Sequence, residues 1–105
     1  MTVVPLPPSP RFPHGRVCMT ARVIELLRKG ELDALGCLER HLGGDWGDVS
    51  AVETQANEAG LSGGDLLVSR YSNSSAVGPL VIVTIRSRRI TKLMLLCEFL
   101  DDVAD

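Results

Sequence analysis

The feature that most constrains this chain is a change of apolar period at Asp65. Before it, hydrophobic residues recur three and four apart, the spacing of one helix face; after it they alternate or run together, as strands do. Helices that all precede strands cannot make alternating βαβ units, which points to α+β. The expected fold is therefore three helices followed by a three-stranded antiparallel β-meander, with the helices packed on one sheet face. At 105 residues the chain can bury one modest core, read as a single α+β domain over residues 18–100.

Local signals place the elements. Thr20 is a helix N-cap, Val23, Ile24, Leu26 and Leu27 form a stripe, and Gly30 stops the helix after Arg28 and Lys29. A second helix is expected over residues 32–41, with Ala34, Leu35, Leu38 and Leu42 as its apolar side and Gly43-Gly44 as its end. Gly36 inside it costs about 1 kcal/mol against alanine, which points to close packing there. Ser50 with Glu53 is a capping box that opens a third helix, thinly apolar at Val52, Ala56, Ala59 and Leu61. Strands are expected over residues 66–71, 80–85 and 90–97, the last two joined by the tight turn Arg86-Ser87-Arg88-Arg89.

Alternation in the strands carries a further consequence. Leu80, Ile82 and Thr84 face one way and Val81, Val83 and Ile85 the other; neither side is polar. Three helices cover one face, so the second needs another cover, which a homodimer or a partner protein supplies. Flanking the domain, residues 1–17 carry prolines at 5, 7, 8, 10 and 13 and read as a Pro-rich flexible arm, either a loose tail or a ligand for an aromatic groove. Residues 101–105 read as an acidic tail, fraying from Glu98 onward apart from Phe99 and Leu100.

Composition excludes several classes. A formal charge of −2 offers no general attraction for nucleic acid or anionic membrane, and no apolar run approaches a membrane span. Cys18, Cys37 and Cys97 are odd in number with no CxxC, which fits a reducing, cytoplasmic setting; no two residues have zinc-ligand spacing, so neither metal nor cofactor is expected. Cys37 and Cys97 read as small buried hydrophobes. Ser69 and Ser87 lack a triad pattern, and neither glycine pair opens a helix after a strand as phosphate loops do.

Two stretches can carry a site. In Arg40-His41-Leu42-Gly43-Gly44-Asp45-Trp46-Gly47-Asp48, the residues His41, Asp45 and Asp48 can be read as an acid–base or metal cluster. The structural reading is that Asp45 and Asp48 bond loop amides or cap the third helix while Trp46 plugs the core, with Gly47, Ser50 and Glu53 shaping the turn. The balance favours structure, so no catalytic residue is assigned and no enzyme is expected. The second stretch is the basic turn of Arg86, Arg88, Arg89 and Lys92. It can grip phosphates or an acidic protein groove, or it can be a solvated guard against edge-to-edge sheet pairing; both readings stand. Without stacking aromatics it is a thin nucleic-acid signal.

Several of these stretches form a set: Thr20-Ala21 before a Leu-Leu helix, Arg40-His41 with Gly44-Asp45-Trp46-Gly47-Asp48, and Asn57-Glu58-Ala59 before a glycine. Leu67-Val68-Ser69 with Tyr71, and Val83-Thr84 with Arg88 and Thr91, complete the set. The pattern, over residues 20–100, resembles a family of small proteins of uncharacterised function carried on bacterial plasmids and integrative elements. Members commonly show a Thr-Glu-Ala-Asp-Arg run at the end of the second strand. Here Thr84 and Arg88 are kept, but Ile85, Arg86 and Ser87 replace the acidic positions, turning an acidic turn basic. The resemblance implies a job such as countering host defence, plasmid maintenance or regulation; the function expected from it is a non-catalytic protein-binding accessory protein of a mobile genetic element, an inhibitor of a host defence protein or ribonucleoprotein complex of the anti-CRISPR or antirestriction type. The alternative is a small nucleic-acid-binding regulator that uses the basic turn.

Overall fold

A computed structural model describes residues 10–72 and 77–103. Its order is β1 (Arg16–Met19), α1 (Ala21–Arg28), α2 (Ala34–Leu42), α3 (Ala51–Gly63), β2 (Leu67–Tyr71), β3 (Leu80–Thr84), β4 (Ile90–Leu95) and α4 (Leu96–Val103). Among these residues no helix is long and apolar enough to cross a membrane. The class is α+β, but the sheet is four-stranded and mixed rather than a three-stranded meander. Its order is β1-β4-β3-β2, with β1 parallel to β4 and the other pairs antiparallel.

Local chemistry explains the helices that sequence located. The Thr20 hydroxyl accepts the Val23 N–H at 3.3 Å to open α1, and the Asp33 carboxylate accepts the Gly36 N–H at 3.0 Å to open α2. That carboxylate lies where a Cβ on Gly36 would sit, so the close packing expected there is the helix's own cap. At α3 the capping box is complete: Ser50 Oγ accepts from the Glu53 N–H, and Glu53 Oε1 accepts from the Ser50 N–H.

Four expectations need correction. The helices do not share one face: α1 and α2 cover one side, α3 runs along the outer edge of β2, and α4 lies on the opposite side against Val68, Val81, Val83 and Met94. The arm ends earlier than residue 17, because Phe12 is buried against Trp46 and Leu67, and Arg16 and Val17 belong to β1. The third meander strand stops at Leu95, and the stretch from Glu98, expected to fray, is helical through Val103. Glu98 Oε1 accepts the Leu95 N–H at 3.0 Å and the Pro79 carbonyl accepts the Leu96 N–H at 2.9 Å, satisfying donors at the helix start. Residues 1–9, 73–76 and 104–105, which hold parts of the expected arm, of the link between the first two expected strands and of the acidic tail, lie outside the described residues.

The main core lies between α1, α2 and the sheet. Val23, Leu32, Ala34 and Cys37 meet Tyr71, Leu80, Ile82, Leu93 and Leu95. The strand residues Leu80, Ile82, Leu93 and Leu95 are almost wholly buried, each worth about 1.5–3 kcal/mol relative to exposure. With few aromatics available, aliphatic side chains carry this core as composition requires.

Candidate functional site

The Gly44–Asp48 loop turns out to be a sheet seal. Beyond α2 the chain turns at Gly44 and lays Trp46–Asp48 beside β2. The Arg70 N–H donates to the Trp46 carbonyl (3.1 Å) and the Asp48 N–H donates to the Arg70 carbonyl (2.6 Å). The Ser72 N–H donates to Asp48 Oδ2 at 2.8 Å, and Arg70 Nη2 donates to the Asp48 carbonyl at 2.8 Å. Asp45 accepts from Arg40 Nε (2.7 Å) and from the Gly47 N–H (3.1 Å), while its carbonyl accepts the Tyr71 hydroxyl (2.7 Å). The Arg40 guanidinium beside it holds the Asp45 carboxyl below its ordinary range. Gly47 has φ +75°, and a Cβ there would run into the Arg70 carbonyl oxygen and the Tyr71 ring, so only glycine lets the loop approach. Trp46 is buried, stacked at 6.1 Å on Phe12, with its indole N–H donating to Glu58 Oε1 at 3.1 Å.

His41 goes elsewhere. It is fully buried, edge-on to both Phe12 and Trp46, with Nδ1 against Ser69 Oγ and Nε2 2.9 Å from Thr84 Oγ1. Thr84 and Thr91, opposite each other across β3 and β4, are 2.8 Å apart at their hydroxyls, and Thr91 donates to the His14 carbonyl at 2.8 Å. Each hydroxyl has one proton, so the directions follow: Thr84 donates to Thr91, His41 Nε2–H donates to Thr84, and bare Nδ1 accepts from Ser69. Burial drives the His41 pKa down to about 3, aided by the nearby Arg88 charge. Thus His41, Asp45 and Asp48 are each committed to different partners. Among the described residues no cluster of three His, Cys, Asp or Glu side chains suits a metal. A serine donating to a histidine is the pairing of an activated nucleophile, but here both partners are sealed in the core. This network was missed from sequence; Thr84 and Thr91 on an otherwise aliphatic inward stripe were the signal.

The basic turn divides. Arg88 sits at φ +62° and turns inward, donating to the carbonyls of Asp65 (2.6 Å), Gly60 (2.8 Å) and Ile85 (3.1 Å), with its guanidinium over the Phe12 ring. It pins the end of α3 to the turn. Arg86, Arg89 and Lys92 are exposed, and Arg16 joins them because it pairs with Ile90 across β1 and β4.

The second sheet face, expected to lack cover, is covered in part by α4. Leu96 and Phe99 pack on Val81, Val83 and Met94. Between α4 and α3 a groove of about 280 Å³ remains, walled by Ala56, Leu66, Val68, Val81, Leu96 and Phe99. Its polar rim is already committed: Asn57 bonds the Val68 backbone, and Arg70 holds the Asp48 carbonyl with Glu53 4.0 Å away. In its wall Leu66, in the link between α3 and β2, is 44% exposed, and Val52 on α3 is 76% exposed. Such a groove offers apolar contact and asks little of its occupant in hydrogen bonding.

No protein-family model, curated protein or solved structure matches the chain.

Proposed function

We propose that this protein is a non-catalytic binding protein that takes an apolar segment of a partner protein into the groove between α3 and α4. The observation that carries the reading is that groove: an aliphatic and aromatic wall on a sheet face with exposed Leu66 at its mouth. The partner class comes from the resemblance to mobile-element proteins, which implies a host defence protein or ribonucleoprotein complex that this chain inhibits. In the run shared with that family, Thr84 and Arg88 are the two residues whose side chains face inward and are bonded. The residues that differ, Ile85, Arg86 and Ser87, are those free to vary with the partner.

The test is a binding titration against purified defence complexes. Stoichiometric binding that falls at least tenfold for Leu66→Asp, in a variant whose melting is unchanged, supports the reading; absence of binding to every such complex removes it. A second reading, a small nucleic-acid-binding regulator, is favoured by the exposed Arg16, Arg86, Arg89 and Lys92 at one end of the sheet. It requires affinity that drops steeply with salt and with Arg89→Glu; a flat salt dependence rejects it.

A further inference from the structure

The two edges of the sheet are treated differently. On β2, the outward groups of Val68 are taken by the Asn57 side chain, N–H to Oδ1 at 3.0 Å and Nδ2 to the carbonyl at 2.8 Å. Those of Arg70 are taken by the Trp46 carbonyl and the Asp48 N–H. That edge is closed by the chain's own groups.

On β1 the Arg16 N–H donates to the Arg89 carbonyl (2.8 Å) and the Thr20 N–H to the Leu93 carbonyl (3.2 Å). Backbone groups alternate along a strand, so Arg16, Cys18 and Thr20 turn theirs toward β4, while Val17 and Met19 turn theirs outward. Among the described residues nothing meets those two N–H and two C=O groups. Nor does the strand Arg-Val-Cys-Met carry the proline, bulge or central charge that usually blunts an edge.

We infer that β1 is a homodimerisation edge, pairing antiparallel with β1 of a second copy so that two four-stranded sheets join into one. The occupant is argued from self-complementarity. With the two-fold axis at Cys18, Val17 faces Met19 of the other copy twice, and each hydrogen-bonded pair exchanges two bonds. All outward groups on both strands are then satisfied. Centring on Val17 or on Met19 satisfies only half of them. In the favoured register Arg16 falls opposite Thr20 of the second copy. The Thr20 hydroxyl donates to Glu98 Oε1 at 2.9 Å, so a guanidinium arrives beside a carboxylate on the same sheet face. A foreign strand would meet the backbone groups without that reciprocal charge pairing. Cys18 faces its own copy as a non-hydrogen-bonded pair, whose Cα separation of about 4.5 Å lies within the range a disulfide spans. This edge is separate from the groove, so the two proposals stand or fall independently.

The test uses the full chain. Under reducing conditions, light scattering across a wide concentration series should show the mass rising from 11.3 kDa toward twice that value. Val17→Pro removes an outward N–H that makes no intrachain bond, at an edge position where proline is tolerated, together with part of the side-chain packing of Val17 on the main core. It should weaken association by at least about tenfold while the circular dichroism stays that of a folded chain, with a lower melting point from the lost Val17 packing. In a Cys37→Ala, Cys97→Ala background, mild oxidation should link copies through Cys18, and Val17→Pro should suppress the link. A chain monomeric at every concentration overturns the inference, as does a dimer that Val17→Pro leaves intact. Should Val17→Pro fail to fold, the Cys18 link in the otherwise native chain decides alone, and its absence overturns the inference.

Discussion

Lowering the pH from 7 to 5 should remove about 2 kcal/mol of stability through His41 alone. The imidazole has a pKa of about 3 when folded, because it is buried with no carboxylate beside it, against about 6.5 when unfolded. A depressed histidine pKa means the unfolded chain binds the extra proton. Its contribution is therefore fully present above pH 6.5 and is lost as pH falls toward the folded value. At 1.36 kcal/mol per pH unit, the unfolded state gains about 2 kcal/mol between pH 7 and 5 while folded His41 stays neutral. Asp45 and Glu58, also depressed, by Arg40 and by Arg11, act with the same sign but lower on the scale, from the ordinary carboxylate range downward, so the window above pH 5 is dominated by the histidine. Urea unfolding at successive pH values measures the slope. His41→Gln, whose amide can accept from Ser69 and donate to Thr84, should be less stable at pH 7 yet flat across the window. A native chain equally stable at pH 7 and 5, or a His41 ring resonance titrating near 6.5, would refute both the burial argument and the proton assignment.

Other expectations follow from the same contacts. Arg88→Ala should cost about 2–3 kcal/mol in urea unfolding by leaving the Asp65 carbonyl without its donor and the Gly60 carbonyl with only the Gly64 N–H, whereas Arg86→Ala and Arg89→Ala should stay within about 0.5 kcal/mol. Equal costs at all three positions would contradict the inward assignment of Arg88. Trp46→Ala should cost on the order of 3–5 kcal/mol, read as a fall in thermal midpoint. Asn57→Leu should uncover the Val68 edge, costing about 1–3 kcal/mol and speeding amide exchange at Val68; an unchanged exchange rate there would show that another group seals that edge.

The elements that sequence located are those whose causes lie within a few residues. Thr20, the Ser50–Glu53 capping box and the glycines after α1 and α2 act on backbone groups of their own turn. The close of β3 onto β4 follows from a tight turn between two aliphatic runs. Asp45 follows the same rule where it accepts the Gly47 N–H two residues on, whereas Asp48 reaches Ser72 and Trp46 reaches Phe12 and Glu58, contacts that only the fold supplies. The choice for His41 between cluster and core was not legible, because its partners Ser69 and Thr84 arrive from two strands that only the folded sheet brings together.

What the sequence alone determined is thus the α+β class, the order of α1, α2, α3, β2, β3 and β4, and an aliphatic core plugged by one tryptophan. Only the tertiary structure decided the rest. It enlisted Arg16–Met19 as a strand parallel to β4, a partner seventy-odd residues away that no local pattern announces. It turned the chain after Leu95 into a helix folded back over the second sheet face, leaving the groove. It also drew Arg88 inward while Arg86 and Arg89 stayed in water, since a long side chain goes where carbonyls need a donor, and those of Gly60 and Asp65 reach the turn only when α3 docks.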